Sequence, residues 1–313
     1  MAAVALYFVR RFGDRKTGST QMRGHDLLEL VAPHMGPNLC ARQMVIPGPR
    51  HPTAQRIWAR MVPRDAIYFM TKRSIERIDP EAAHILKNRA RAVCFDYVDG
   101  NPRQIRSEIA DIHVCTSYAQ EAALKSLQVK GEFAPGPTSV VLHNASAQLT
   151  KMRSTPAPKF SAAYVGTLAM TEIPEILQDE IEILDASSTR EFQKNLERLS
   201  QYSLHYCFRR SQEKSEFIVK PFTKGVTAAM CCSNIITSRQ VWDAEALLGT
   251  DYPYLMDDNS EEDILEAFEK ARSSFGTNTW RDALQAVARI KELTSGPALA
   301  QSLKDMSRIA GVG

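Results

Sequence analysis

Ala92-Val-Cys-Phe-Asp96-Tyr-Val98, followed by Ile112-His-Val-Cys-Thr116-Ser117-Tyr-Ala-Gln120, carries the pattern from which the fold is read. Each stretch opens on a short apolar run with no polar alternation, which suits a strand covered on both faces, as in a parallel sheet. The second run ends at Ser117, with Gln120 at the capping-box position ahead of Ala122, Ala123 and Leu127. A buried strand passing directly into a capped helix is the repeating unit of an α/β sheet. Outward from these runs, Val4–Val9, Gln43–Ile46, Ala66–Met70 and Ser139–His143 read as further strands. Asp79-Pro80 marks another helix start, with proline at the first helical position.

Pro156 and Pro158 then interrupt a polar stretch, Lys151 to Lys159, the best candidate for a linker. Beyond it the alternation resumes with Ala162–Val165, Ile181–Leu184, Leu204–Phe208, Asn234–Thr237 and Tyr252–Leu255 as strands. Arg190–Leu199 and Glu261–Arg272 read as helices, the latter capped by Ser260 and ending on Lys270 and Arg272, which complements its dipole. A further helix is expected to start at Thr279, and Gly296-Pro297 separates it from a last amphipathic one. A chain of 313 residues fits two domains of about 150 residues. The expectation is an α/β protein of two Rossmann-like, doubly wound domains facing each other across a cleft. Residues 1–150 form the first, 160–295 the second, and 296–313 a terminal helix packing back on the first.

Composition narrows the function. A hydrophobic share of 44% with 24% charged residues is that of a globular protein with two sizeable cores. A formal charge of +3, with no concentrated basic stripe, argues against a nucleic-acid partner. The six cysteines form no C-x-x-C pair and read as reduced thiols, so no metal site is expected. No run reaches the roughly 18 apolar residues of a membrane span. In Ala2–Val9 the charge follows the apolar run rather than preceding it, so it reads as a strand and not a signal peptide. The expected location is cytoplasmic.

Two basic junctions stand out. The first runs Phe8-Val-Arg10-Arg11-Phe-Gly13-Asp14-Arg15-Lys16-Thr-Gly18-Ser19-Thr20, from a strand through a basic loop to a helix start at Ser19 or Thr20. Gly18, Ser19 and Thr20 would place N–H groups at an anion site, or simply close a solvated loop. The second is Phe217-Ile-Val-Lys220-Pro-Phe-Thr223-Lys224-Gly225-Val-Thr227. Here a strand-like run delivers two lysines, a hydroxyl and a glycine to a helix start. Charge-assisted hydrogen bonds contribute roughly 1.5–3 kcal/mol each, against about 0.3–1 for a helix dipole, so the lysines would dominate diphosphate binding. Arg209, at the end of the Leu204–Phe208 run, is placed to join them or to lie in solvent.

Tyr164-Val-Gly166-Thr, Lys220-Pro-Phe-Thr-Lys224, Asn234-Ile-Ile and Asp243-Ala-Glu245 resemble, in order, the donor domain of GT-B glycosyltransferases. Cys94-Phe-Asp96-Tyr-Val-Asp99 and Ala110-Asp111-Ile-His-Val-Cys-Thr-Ser117 resemble the acceptor domain, so the likeness spans nearly the whole chain. It implies a divergent, family 4-like enzyme with a nucleotide-sugar donor in the second half and a saccharide or other hydroxyl acceptor in the first. The nucleotide sugar is then a substrate, and no separate cofactor is implied. One departure is clear: retaining members carry two glutamates where this chain has Val219 and Thr227.

Without a D-x-D sequence, leaving-group charge falls to Lys220, Lys224 and Arg209, with Thr223 and Gly225 at the helix start, which makes a metal-independent transfer the expectation. Asp96, Asp14 and His25 are the candidates for a general base. His143 is placed for donor contact or a structural hydrogen bond, and Glu245 for a ribose hydroxyl or solvent. Two other readings share the architecture: a non-hydrolysing sugar-nucleotide epimerase, and a catalytically degenerate binding or scaffold protein.

Overall fold

A computed structural model describes residues 3–13, 18–102, 105–152, 155–208 and 218–312. The chain divides into two compact units: Met1–Asn144 with Ser215–Pro221 and Ser295–Gly313, and Ala145–Lys214 with Phe222–Thr294.

The first unit holds strands β1 (Val4–Arg11), β2 (Leu39–Ile46), β3 (Ile67–Thr71), β4 (Ala92–Asp96), β5 (Ile112–Cys115) and β6 (Thr138–Val140), in the order β2-β1-β3-β4-β5-β6. Every neighbouring pair is parallel. β3, β4 and β5 are buried at every position, as their unbroken apolar runs require. One face packs Val9, Tyr68, Met70, Val93, Phe95 and Leu124 into a single core. The parallel register brings Thr71, Asp96 and Val114 abreast at the carboxyl edge. The last helix, Gly296–Ile309, packs on the helix Leu27–Val31 within this unit and fully buries Leu299, Leu303 and Met306.

The second unit holds β7 (Ala162–Gly166), β8 (Ile181–Asp185), β9 (Leu204–Tyr206), β10 (Asn234–Ser238) and β11 (Leu255–Met256), all parallel, in the order β11-β10-β9-β7-β8. Phe160, Phe275, Tyr254 and Phe268 pack around the Trp280 helix, with Phe275 and Trp280 ring centroids 5.1 Å apart.

Several boundaries differ from the sequence expectation. β2 begins at Leu39, because Arg42 and Gln43 lie exposed on an edge strand and interrupt its apolar run. The division between units falls at Asn144, before the prolines, since Ala147 and Leu149 are buried in the helix Ala147–Lys151 that packs on the helix Thr223–Met230. Residues 218–222 carry no regular structure, so the helix Thr223–Met230 is entered from a loop and not from a strand. Thr277 rather than Thr279 caps the next helix, its hydroxyl accepting from the Trp280 N–H. The caps at Asp79, Ser117 and Ser260 form as expected. Gln120 completes its motif on the N–H of Thr116, at 2.7 Å, one residue before the cap. Among the described residues no helix is long and apolar enough to cross a membrane.

Candidate functional site

At the carboxyl edge of the first sheet, chemistry is organised by a residue the sequence does not single out. A π-helical turn, Thr20–Asp26, follows β1 and places Arg23 inside the unit, fully buried. Its Nε and Nη2 donate to the two oxygens of Asp96, at 2.9 and 3.3 Å. Nη1 and Nη2 also donate to the carbonyls of Leu142 and Val141, at 2.9 and 3.0 Å. Asn144 returns the contact, its Nδ2 donating to the carbonyl of Met22 at 2.9 Å. A buried carboxylate survives only when paired and hydrogen-bonded, and Arg23 supplies both. Burial holds the Asp96 carboxyl above the ordinary carboxylate range, and the Arg23 guanidinium offsets only part of that rise.

Asp96 is fully buried and both of its oxygens accept from Arg23, which makes it the anchor of that guanidinium and not a base open to an incoming hydroxyl. Asp14 lies outside the described residues, as does Arg209. His25 is half-buried in the π turn, with Nδ1 3.2 Å from the side-chain amide of Gln43. Gly18 is exposed, Ser19 half-buried and Thr20 buried. Ser19 has helical angles and makes no side-chain cap, so the helix is already under way where a cap was expected.

His143 follows β6 and is 5% exposed. Its Nδ1 lies 2.9 Å from the carbonyl of Asn144. A carbonyl only accepts, so Nδ1 carries the proton and Nε2 is left as an acceptor. Burial, with the charge of Arg23 adding to it, pushes the imidazole down to about 3, so the ring is neutral. Nearby, Val98 takes the left-handed conformation, φ 54°, which a β-branched residue rarely adopts. Its carbonyl is tied to the Gln120 side-chain amide. The reversal leaves Asp99 2.8 Å from the Lys72 ammonium. Burial raises the Asp99 carboxyl, but the hydrogen bond and charge of Lys72 outweigh it and hold it below the usual range.

In the second unit, Thr223, Lys224 and Gly225 open the helix Thr223–Met230. The helices starting near Ser117, Ser188, Ser260, Thr277 and Ser295 each receive a side-chain cap, but this one begins after Phe222, whose ring offers none. Lys224 Nζ donates to the carbonyl of Val165 at 2.6 Å and lies 3.6 Å above the ring of Tyr164, so the end of β7 fixes the cation at the helix start. Gly225 is required by contact, because a Cβ there would stand 2.0 Å from the Phe222 ring. Lys220 is half-buried and falls in the first unit, so the division between units separates the two lysines. Glu245 Oε1 accepts from Arg239 Nη1 at 2.6 Å, which occupies one of the two oxygens offered to a ribose. Val219 is 2% exposed, and the Thr227 hydroxyl donates back to Thr223, so neither place supplies a carboxylate. Among the described residues no three His, Cys, Asp or Glu side chains are grouped as a metal ion would need.

No protein-family model and no curated protein matches the sequence. Solved structures do. An α,α-trehalose-phosphate synthase (UDP-forming) from Burkholderia vietnamiensis is similar over 100% of both chains, with 8% identity and a TM-score of 0.62. Anabaena Alr3699/HepE, solved in complex with UDP-glucose, is similar over 97% of this chain and 99% of its own, at 10% identity and a TM-score of 0.56. Against a chain of the GtfA/B complex the likeness covers 83% of this chain but only 61% of the other, at 9% identity and a TM-score of 0.53. The chain has the GT-B fold, two Rossmann-like domains of parallel sheet covered by helices.

Proposed function

We propose that the chain is a glycosyltransferase that moves a sugar from a nucleotide-sugar donor to a saccharide or other hydroxyl acceptor, without a metal ion. The observation that carries this reading is Lys224, a cation held by Tyr164 and Val165 at a helix start that has no side-chain cap. Such a start favours an anion, and the fixed ammonium adds a charge-assisted partner for a departing diphosphate. The likeness to a UDP-forming synthase and to a protein solved with UDP-glucose supports a nucleoside diphosphate as that anion.

In this reading the second unit receives the donor through Thr223, Lys224 and Gly225, joined by Arg209. Glu245 turns its remaining oxygen to the ribose. The first unit receives the acceptor. With Asp96 committed to Arg23, the base is His25 or Asp14. The Nε2 lone pair of His143 accepts from a sugar hydroxyl.

Calorimetry with UDP tests the donor half. The unaltered chain binds UDP, and Lys224→Met weakens it about 10–100-fold, as the loss of one charge-assisted hydrogen bond demands. Unchanged affinity in a folded Lys224→Met protein refutes the phosphate site. Binding without product across an acceptor panel would make the chain a binding protein.

A further inference from the structure

Of the four buried side-chain polar atoms of the first unit that lack a hydrogen bond among the described residues, those of Arg10, Thr20, Arg89 and His113, the first two belong to side chains that border the same glycine. Arg10, near the end of β1, is 7% exposed, and its Nε is buried with no hydrogen bond among the described residues. Thr20, at the start of the π turn, is 1% exposed, and its hydroxyl is equally unpartnered. Both side chains border Gly24. A Cβ built on Gly24 would stand 3.7 Å from the Arg10 Cβ and 3.9 Å from the Thr20 Cγ2. The hydroxyls of Thr71 and Ser74 both donate to the Val9 carbonyl, each at 2.9 Å. Asp96, the buried carboxylate at the end of β4, is bound at both oxygens by Arg23.

A guanidinium N–H and a hydroxyl left unbonded in a protein interior are each destabilising, and here both belong to side chains that border one glycine. We propose that Arg10 and Thr20 form a site for an anionic oxygen, a phosphate or a carboxylate, on a ligand of the first unit. The guanidinium supplies the charge and the direction, and the threonine hydroxyl the second bond. Arg10 and Thr20 belong to the first unit and Lys224 to the second. If the chain is a transferase, the group is carried by the acceptor, which would make the acceptor an anionic molecule. That last step rests on the transferase reading, but the site itself does not.

The experiment follows thermal unfolding of the full chain with inorganic phosphate and, separately, with UDP. The variants are Arg10→Met and Thr20→Val, which keep the volume and remove the donor. Without ligand both variants melt at or above the temperature of the unaltered chain, because an unsatisfied polar group is replaced by an apolar one. Phosphate stabilises the unaltered chain, and its affinity falls about 10–100-fold in Arg10→Met and about 3–10-fold in Thr20→Val. If UDP affinity is unchanged in both, the anion is the acceptor's. If it falls in parallel, the anion is the donor's diphosphate. The proposal is overturned if phosphate leaves the unaltered chain unaffected or protects all three alike, or if Arg10→Met melts lower without ligand. Since the phosphate arm needs neither Lys224 nor sugar transfer, this site and the transferase reading can fail separately.

Discussion

His143 shows what burial does to a single titratable group. Its imidazole is neutral in the native state down to about pH 3, whereas in an unfolded chain it takes up a proton near pH 6.5. Above pH 6.5 neither state is charged, and the residue adds no pH dependence. Between 6.5 and about 3 the unfolded chain binds a proton that the native one refuses, so stability falls as pH falls, by about 1.4 kcal/mol per unit. Below about 3 the loss stops. Urea denaturation between pH 4 and 6 should give a slope shallower by that amount in His143→Gln, with His205, pushed down to about 4 by burial, retaining its own share. Equal slopes would mean that His143 is charged in the native protein. Asp96 was legible as a special position because a carboxylate ends an unbroken apolar run. Its role was not, because Arg23 lies in another segment and a lone arginine beside Met22 carries no signal of burial. Arg10 was visible as part of a basic stretch, but only the fold separates it from Arg11.

Among the elements, the helix Thr223–Met230 is the most constrained. Phe222 turns its ring against Gly225, and the space is already filled. Gly225→Ala must displace the ring or the first turn, which typically costs about 1–3 kcal/mol for an overpacked site. The expected outcome is a lower melting temperature together with weaker UDP binding, both recovered by adding Phe222→Leu. A Gly225→Ala protein as stable as the parent would show that the ring moves freely. The runs read as strands overlap every described strand in both units, and the interior ones are apolar because a strand covered on two faces has to be so. Where that condition lapses, the signal lapses with it. Residues 39–42 lie on an edge, and Val219 belongs to a loop that buries it without sheet pairing. Lys224 was legible by charge and spacing, but the Tyr164 ring beneath it belongs to β7 and becomes visible only once that strand is placed.

At the scale of the molecule, the first unit is assembled from three separate pieces of chain. Deleting residues 295–313 removes Leu299, Leu303 and Met306, each fully buried, and each such side chain contributes about 1.5–3 kcal/mol. The sum is comparable to the whole stability of an ordinary domain, about 5–15 kcal/mol. Limited proteolysis of the truncated chain should therefore digest residues 1–144 while fragments of the second unit persist. Equal resistance of both units would show that the terminal helix is dispensable.

That helix also dictates a birth order. Domains generally fold as they leave the ribosome, the earlier one first. Here the earlier sheet waits for residues 296–309, so its apolar face stays open while the whole of the later unit is made and is free to close. The emergence of that helix, rather than of its own last strand, is the moment at which the amino-terminal unit can close.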